Sequence, residues 1–109
     1  MQTKPEKDTE LRDKVNRETA RLPWAELLKH FAAGSVVWVA NSLDLVDVAV
    51  RISHDDKDNI SKWMQAGLLG KVTDQQAQTW IDTQAEMWAV VVSPFVLVQQ
   101  EKTVAKSVH

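Results

Sequence analysis

The chain has 109 residues, of which 44% are hydrophobic and 26% are charged, and this length accommodates one small domain. Its formal net charge of -2 leaves no basic excess, which argues against binding to nucleic acid or to an anionic membrane surface. The chain contains no cysteine, which excludes disulfide bonds, thiol nucleophiles and thiolate metal ligands. The longest apolar run, from Met87 to Val98, is much shorter than the roughly 20 residues of a membrane span. We therefore expect a cytoplasmic protein that does not enter a membrane.

The first third of the chain predicts a polar tail and a charged helix. Acid–base pairs spaced four residues apart between residues 10 and 17 favour a helix that ends near residue 20. Its apolar stripe is narrow, since it consists mainly of Leu11 and Val15, so we expect this helix to pack weakly. Three segments are predicted overall, namely a disordered tail, a single α+β domain and a second disordered tail, over residues 1–8, 9–100 and 101–109.

A second helix and a buried strand follow. Pro23 suits the first turn of a helix, and Gly34 suits the residue just after its end. The apolar residues between them recur at the spacing of one buried helix face: Trp24, Leu27, Leu28 and Phe31. The run from Ser35 to Ala40 is β-branched and aromatic without polar alternation, which predicts a strand buried on both faces.

Two helices joined by a tight turn are predicted next. The first covers roughly Leu43 to Ile52, where apolar residues recur at helical spacing. Asp55 or Asp56 is expected to cap the second helix, and Gly67 is expected to end it in the left-handed conformation. The predicted inner face of this second helix consists of Ile60, Trp63 and Met64.

The remaining residues predict a strand, a capped helix and a final extended segment. Leu69 to Val72 forms the strand, and Thr73 with Gln76 forms a capping box. The helix that follows carries its apolar face on Ala77, Trp80 and Ile81. Trp88 to Gln99 is predicted to be one extended segment, interrupted at Pro94, that pairs with the strand near Trp38.

This order of elements predicts an α+β fold, in which a small β-sheet is packed with about five helices. It also matches a degenerate winged helix-turn-helix in which a helix replaces the wing, and this description is kept as an alternative. A helix that reads DNA needs basic residues at the phosphates, whereas the second helix of the pair begins with acids, at Asp55, Asp56 and Asp58. Binding to nucleic acid is therefore disfavoured even if the topology is that of a winged helix.

Four stretches of the chain resemble a bacterial family known only as domain of unknown function 2288. They span about Leu11 to Gln99 and occur in the same order as in the family. The stretches are Leu22-Pro23-Trp24, Leu43-Asp44-Leu45-Val46-Asp47-Val48-Ala49, Trp63-Met64-Gln65-Ala66-Gly67-Leu68-Leu69 and Pro94-Phe95-Val96-Leu97-Val98-Gln99. The resemblance implies a stand-alone bacterial domain with no assigned activity.

Residues that could carry chemistry have simpler structural explanations. His54 lies beside three aspartates, but aspartates at the start of a helix are explained by capping and by the helix dipole. Asp44 and Asp47 lie one turn apart, as paired catalytic carboxylates can, but Arg51 is the simpler partner for Asp47. No phosphate-binding loop or nucleophile motif is present. We therefore expect no catalytic, cofactor or metal residues, no cofactor and no enzymatic activity.

The leading hypothesis is a protein-interaction domain that binds an unknown protein partner or itself. Five aspartates opposed by Arg51 and Lys57 give residues 44–58 a local net charge of -3, and we call these aspartates the acidic tip. Trp88 is expected to be the tryptophan nearest the surface, and the last extended segment is expected to offer a free edge. The candidate partner-binding residues are Asp44, Asp47, Asp55, Asp56, Asp58 and Trp88.

The alternative hypothesis is a nucleic-acid-binding or regulatory domain with winged-helix-like topology. Its contacts would come from four basic residues assigned to the leading helix, Arg12, Lys14, Arg17 and Arg21. Acids alternate with these bases, so the electrostatic field along the helix nearly cancels. Binding that falls steeply with salt would support this alternative.

Overall fold

The structure, a computed structural model, describes the backbone of residues 4–100 and the side chains of residues 9–100. Five α-helices surround one five-stranded sheet, which confirms the predicted α+β class. The elements are α1 (Lys4–Glu18), β1 (Ala20–Pro23), a 3-10 turn (Trp24–Leu27) that continues into α2 (Leu28–Ala32), β2 (Val36–Val39), α3 (Leu45–Ser53), α4 (Lys57–Gln65), β3 (Leu69–Lys71), α5 (Asp74–Asp82), β4 (Glu86–Val92) and β5 (Phe95–Gln100). None of the helices in this part of the chain is long and apolar enough to cross a membrane.

The boundaries at the two ends of the chain differ in part from those predicted. Helix α1 begins at Lys4, within the segment assigned to the first tail. The rest of that tail, residues 1–3, and the whole second tail, residues 101–109, lie outside the described residues.

The strands are arranged in the order β1-β4-β5-β2-β3. All neighbours are antiparallel except β5 and β2, which run parallel with Val37 opposite Leu97. The predicted pairing of the last segment with the strand near Trp38 is therefore confirmed. The interruption predicted at Pro94 is a full reversal of the chain, because a turn at Ser93 and Pro94 divides the last segment into the β4–β5 hairpin.

The sheet ends in two short strands. Strand β5 lies between β4 and β2 and has no free edge, so the edge predicted for the last segment is limited to Val90–Val92 of β4, which extend past β1. Strand β1, which the sequence did not predict, forms one edge, and Pro23 lacks the N–H group that a further strand would need. The other edge, β3, has only three residues.

Each face of the sheet carries its own hydrophobic cluster. On one face, Trp24 and Trp80 pack edge to face with ring centroids 4.9 Å apart, above Met87 and Val98. The other face is covered by α1, α3 and α4, and its buried side chains include Val15, Val48 and Leu97. Because helices cover both faces of its five-stranded sheet, this domain has more layers than a winged helix, whose sheet ends in a hairpin wing.

The local signals for helix ends are confirmed. Asp56 caps α4, as predicted, whereas Asp44, which was predicted to lie inside α3, is the cap of that helix. Gly67 has a φ of 76°, and the Leu68 N–H donates to the Trp63 carbonyl oxygen at 2.9 Å, as a left-handed helix end requires. Thr73 and Gln76 form the predicted capping box.

Three residues predicted to face the core are exposed, namely Leu28, Met64 and Ile81. Met64 and Ile81 each follow a tryptophan of the inner face by one residue, which rotates them by about 100° around the helix. In each of these short helices, the side that packs against the core includes the tryptophan but not the residue after it. For Leu28 the cause is the preceding 3-10 turn, which has about three residues per turn and so shifts the phase of the helix.

Candidate functional site

A groove with a cavity volume of about 850 Å³ opens on the sheet face that carries α1, α3 and α4. We call it the end groove because it lies where β4 ends and β5 begins. Its apolar lining includes Leu11 and Val15 of α1, Ile52 of α3, Ile60 and Met64 of α4, and Val37, Leu69, Val92 and Phe95 of the sheet.

The end groove lies at the last turn of α3. The side chain of Gln99 donates to the Leu43 carbonyl oxygen at 2.7 Å just before α3 begins, and Ser53 at the other end of α3 lines the groove beside Val92. Helix α3 therefore runs from the level of Gln99 to the level of Val92, and the groove opens where α3 and the β4–β5 hairpin both end.

Exposed apolar side chains concentrate at the end groove. Six large hydrophobic residues are exposed among those described, and Met64 and Phe95, with exposed fractions of 56% and 37%, line this groove. Val91, 63% exposed, lies at its edge, but it alternates with Val90 and Val92 and so directs its side chain to the other face of the sheet. Single exposed apolar residues are common on protein surfaces, but several around one concavity are typical of a binding site.

The rim of the end groove carries four exposed charged residues, Lys14, Glu18, Asp55 and Lys71. Asp55 already has a partner, since Lys57 Nζ lies 3.8 Å from its Oδ2. Neither Lys14 nor Lys71 forms an ion pair within residues 9–100. The rim thus presents two positive charges to a molecule in the groove, with Glu18 as the opposing charge.

The acidic tip is not a continuous bare acidic surface. Asp47 Oδ1 lies 3.2 Å from Arg12 Nη2 of α1 and 3.7 Å from Arg51 Nε. Arg51 Nη1 in turn lies 3.5 Å from Asp56 Oδ2, so ion pairs join α1, α3 and the start of α4. Asp44 is occupied as a cap, because its Oδ1 accepts from the backbone of Val46 at 3.0 Å. Much of the predicted charge is therefore compensated within the domain.

The pKa of Asp56 reflects its role as the cap of α4. The Asn59 side chain donates to Asp56 Oδ2 at 2.8 Å and the Asn59 backbone N–H donates to Oδ1, and these bonds hold the pKa of the carboxyl below its ordinary value. The charge of Arg51 lowers it further. Both the hydrogen bonds and the pKa therefore fit a helix cap. Within the part of the chain that the structure describes, no group of three or more His, Asp or Glu residues is arranged to hold a metal ion.

Trp88 is the most exposed of the five tryptophans, with an exposed fraction of 38%, as predicted. It lines a shallow pocket of about 320 Å³ together with Asp44, Val46 and Gln99. Two of the candidate partner-binding residues thus meet at the start of α3, whereas Asp55 lies on the rim of the end groove at the other end. Asp58 lies in the first turn of α4. Partner binding by these residues stays a prediction.

The basic residues of the alternative hypothesis do not form one free surface. Arg12 pairs with Asp47, and Arg21 lies on β1, where its Nε is 3.6 Å from Glu86 Oε1. Lys14 and Arg17 remain on α1 as exposed residues.

A model of a protein family, described as "Protein of unknown function (DUF2288)", matches residues 10–100. The chain belongs to this family. The resemblance inferred from the sequence is thereby confirmed. The NMR solution structure of PA1075 from Pseudomonas aeruginosa is similar to this DUF2288 domain, with 35% sequence identity, complete coverage of both chains and a TM-score of 0.77. A search of curated proteins finds no match. The DUF2288 family carries no assigned activity, so function must be argued from the site.

Proposed function

We propose that this DUF2288 domain is a non-enzymatic protein-interaction domain of the cytoplasm, and that it binds a partner protein through the end groove. The observation that carries the proposal is the pair of exposed apolar side chains, Met64 and Phe95, beside the apolar lining of one concavity. Removal of such surface from water is the main favourable contribution to most protein associations. The cytoplasmic location is in keeping with a chain that contains no cysteine.

The character of the rim supports binding rather than catalysis. General acid–base chemistry needs titratable groups that converge on one point, in surroundings that adjust their pKa values. The charged residues of the end groove are exposed to solvent on its rim, and its floor is formed by aliphatic and aromatic side chains. Such a groove can hold an apolar segment of a partner.

The pairing of basic residues favours a protein partner over nucleic acid. Arg12 and Arg21 would have to leave Asp47 and Glu86 before they could contact phosphates. The two remaining bases of the alternative, Lys14 and Arg17, would have to supply the electrostatic attraction on which such binding depends.

The proposal is tested by affinity capture from lysate of the organism of origin, with and without nuclease, followed by mass spectrometry. Three baits are compared: the native domain, Met64→Glu in the end groove and Ile81→Glu on α5. Both substitutions replace an exposed helical apolar residue, so both variants should fold. We expect a protein that resists nuclease and is captured by the native domain and by Ile81→Glu, but not by Met64→Glu.

Two outcomes would contradict the proposal. If capture disappears after nuclease, nucleic acid holds the captured proteins and the alternative hypothesis is favoured. If Met64→Glu captures the same proteins as the native domain, the end groove is not the binding surface.

A further inference from the structure

We infer that the partner segment in the end groove is an amphipathic α-helix with acidic residues beside its apolar stripe. This inference rests on the proposed function and adds the shape and charge of the partner. Two features of the groove carry it: its walls and the charge on its rim.

The position of the groove suits a helix. Val92 and Phe95 form part of its floor, and residues of α1, α3 and α4 line its sides. A helix in this position would complete the layer that α1, α3 and α4 already form on this face of the sheet.

The walls of the groove provide helical surfaces on two sides. Leu11 and Val15 project from α1, and Ile60 and Met64 project from α4. Each pair is four residues apart, so each forms a ridge along its helix that can interlock with ridges of a third helix. Met64 is unbranched and exposed, which suits a groove that adapts to the side chains of its partner.

An extended partner segment fits less well. Two short strand edges lie beside the groove. In β4, Val90–Val92 extend past β1, whose pairing begins at Ala20 opposite Ala89. In β3, the Trp38–Gly70 pair directs the Gly70 backbone toward β2, and Leu69, which directs its backbone outward, is only 5% exposed. Each edge is at most three residues long, which leaves few backbone groups to pair with an added strand.

The charge on the rim favours an acidic partner. Lys71 has no ion-pair partner within residues 9–100, and the same holds for Lys14. Of the two rim acids, Asp55 is paired with Lys57, and Glu18 lies one turn from Lys14 on α1. Acidic residues beside the apolar stripe of a partner helix would thus meet an uncompensated Lys71, whereas basic residues would be repelled.

The test uses three synthetic 16-residue helical peptides with the same leucine stripe and with Glu, Gln or Lys at the positions beside it. Fluorescence anisotropy gives the dissociation constants, and amide chemical shifts of the labelled full-length protein locate the site. We expect the Glu peptide to bind most tightly and to shift the amides of Met64, Lys71 and Phe95. Lys71→Glu should weaken binding of the Glu peptide by about threefold to tenfold, because one exposed charge contact is replaced by repulsion. The matched control is Lys29→Glu, an exposed lysine on α2 away from the groove, which should leave the affinity unchanged.

Several results would overturn this inference. Equal affinity of the three peptides would remove the acidic requirement, and shifts confined to other residues would remove the groove as the helix site. Amide shifts at the groove that depend on protein concentration, without peptide, would show that a second copy of the chain is the occupant. In each case, loss of partner capture by Met64→Glu would still support the proposed function, so the two ideas can fail separately.

Discussion

Replacement of two glycines by alanine should change stability in opposite directions. Gly67, which ends α4, has a φ of 76°, and an added Cβ would have no atom within 4 Å. Gly70 of β3 also has open space around an added Cβ, but its φ lies outside the left-handed range. Contact with neighbouring atoms is therefore absent in both variants, and only the backbone conformation distinguishes them.

The expected magnitudes follow from this difference. Alanine restricts the unfolded chain at either position, which stabilises the fold by about 0.4–1 kcal/mol. At Gly67 the left-handed conformation costs an alanine about 1–2 kcal/mol, and this cost exceeds the gain. Gly70→Ala should therefore raise the free energy of unfolding and Gly67→Ala should lower it. The two variants should differ by about 1–2 kcal/mol, because the contribution of the unfolded chain is common to both.

Urea unfolding followed by tryptophan fluorescence measures this difference. The slope of the free energy against urea concentration should be the same for both variants, so that a shift in midpoint reports stability alone. If Gly67→Ala is as stable as Gly70→Ala, the left-handed conformation at position 67 does not disfavour alanine, and the expected difference between the two variants is refuted.

Three further measurements test the core, the surface and the cap. Leu97→Ala should lower the free energy of unfolding by about 2–5 kcal/mol because Leu97 is fully buried, whereas Leu28→Ala, at 37% exposure, should cost below about 1 kcal/mol. Equal costs in urea unfolding would contradict the assigned core. Trp88→Phe should remove the largest share of the fluorescence that acrylamide quenches, and a larger loss from any other tryptophan would refute its exposure. The lowered pKa of Asp56 stabilises the fold at neutral pH, and this contribution is lost as the pH falls below the ordinary value of 3.8 and through the lowered pKa. Asp56→Asn should therefore flatten the acid limb of a plot of unfolding free energy against pH, and an unchanged limb would exclude this role.

The sequence predicted features that depend on a few adjacent residues. The caps at Asp56 and Thr73 and the helix end at Gly67 are set by local hydrogen bonds and by the conformational freedom of glycine, so they can be read without the tertiary structure. Acid–base spacing located α1 and hydrophobic spacing located the other four helices, although their exact ends differ.

Features that depend on distant contacts were not predictable in this way. Strand β1 is an edge strand of four residues held by β4, more than 60 positions away, and nothing in Ala20–Pro23 alone specifies it. The position of β5 between β4 and β2 depends on the reversal at Pro94, which the sequence marked only as an interruption.

The end groove was missed for a related reason. Met64 was assigned to the inner face of its helix, and Phe95 was assigned to the last extended segment. Both assignments counted apolar character as burial, whereas the groove lies where α3 and the β4–β5 hairpin both end. The one available signal was the turn after Val92, since apolar residues on both sides of a turn lie at the end of a sheet.

The central place of β5 also matters for how the domain is made. During synthesis, β1 to β4 emerge from the ribosome before the strand that joins them, so β4 and β2 each lack a neighbour until Phe95–Gln100 is released. Until then, both hydrophobic clusters are without Val96, Leu97 and Val98. The domain is therefore expected to complete its sheet only after its last strand has emerged, and its nascent form presents open strand edges that chaperones can bind.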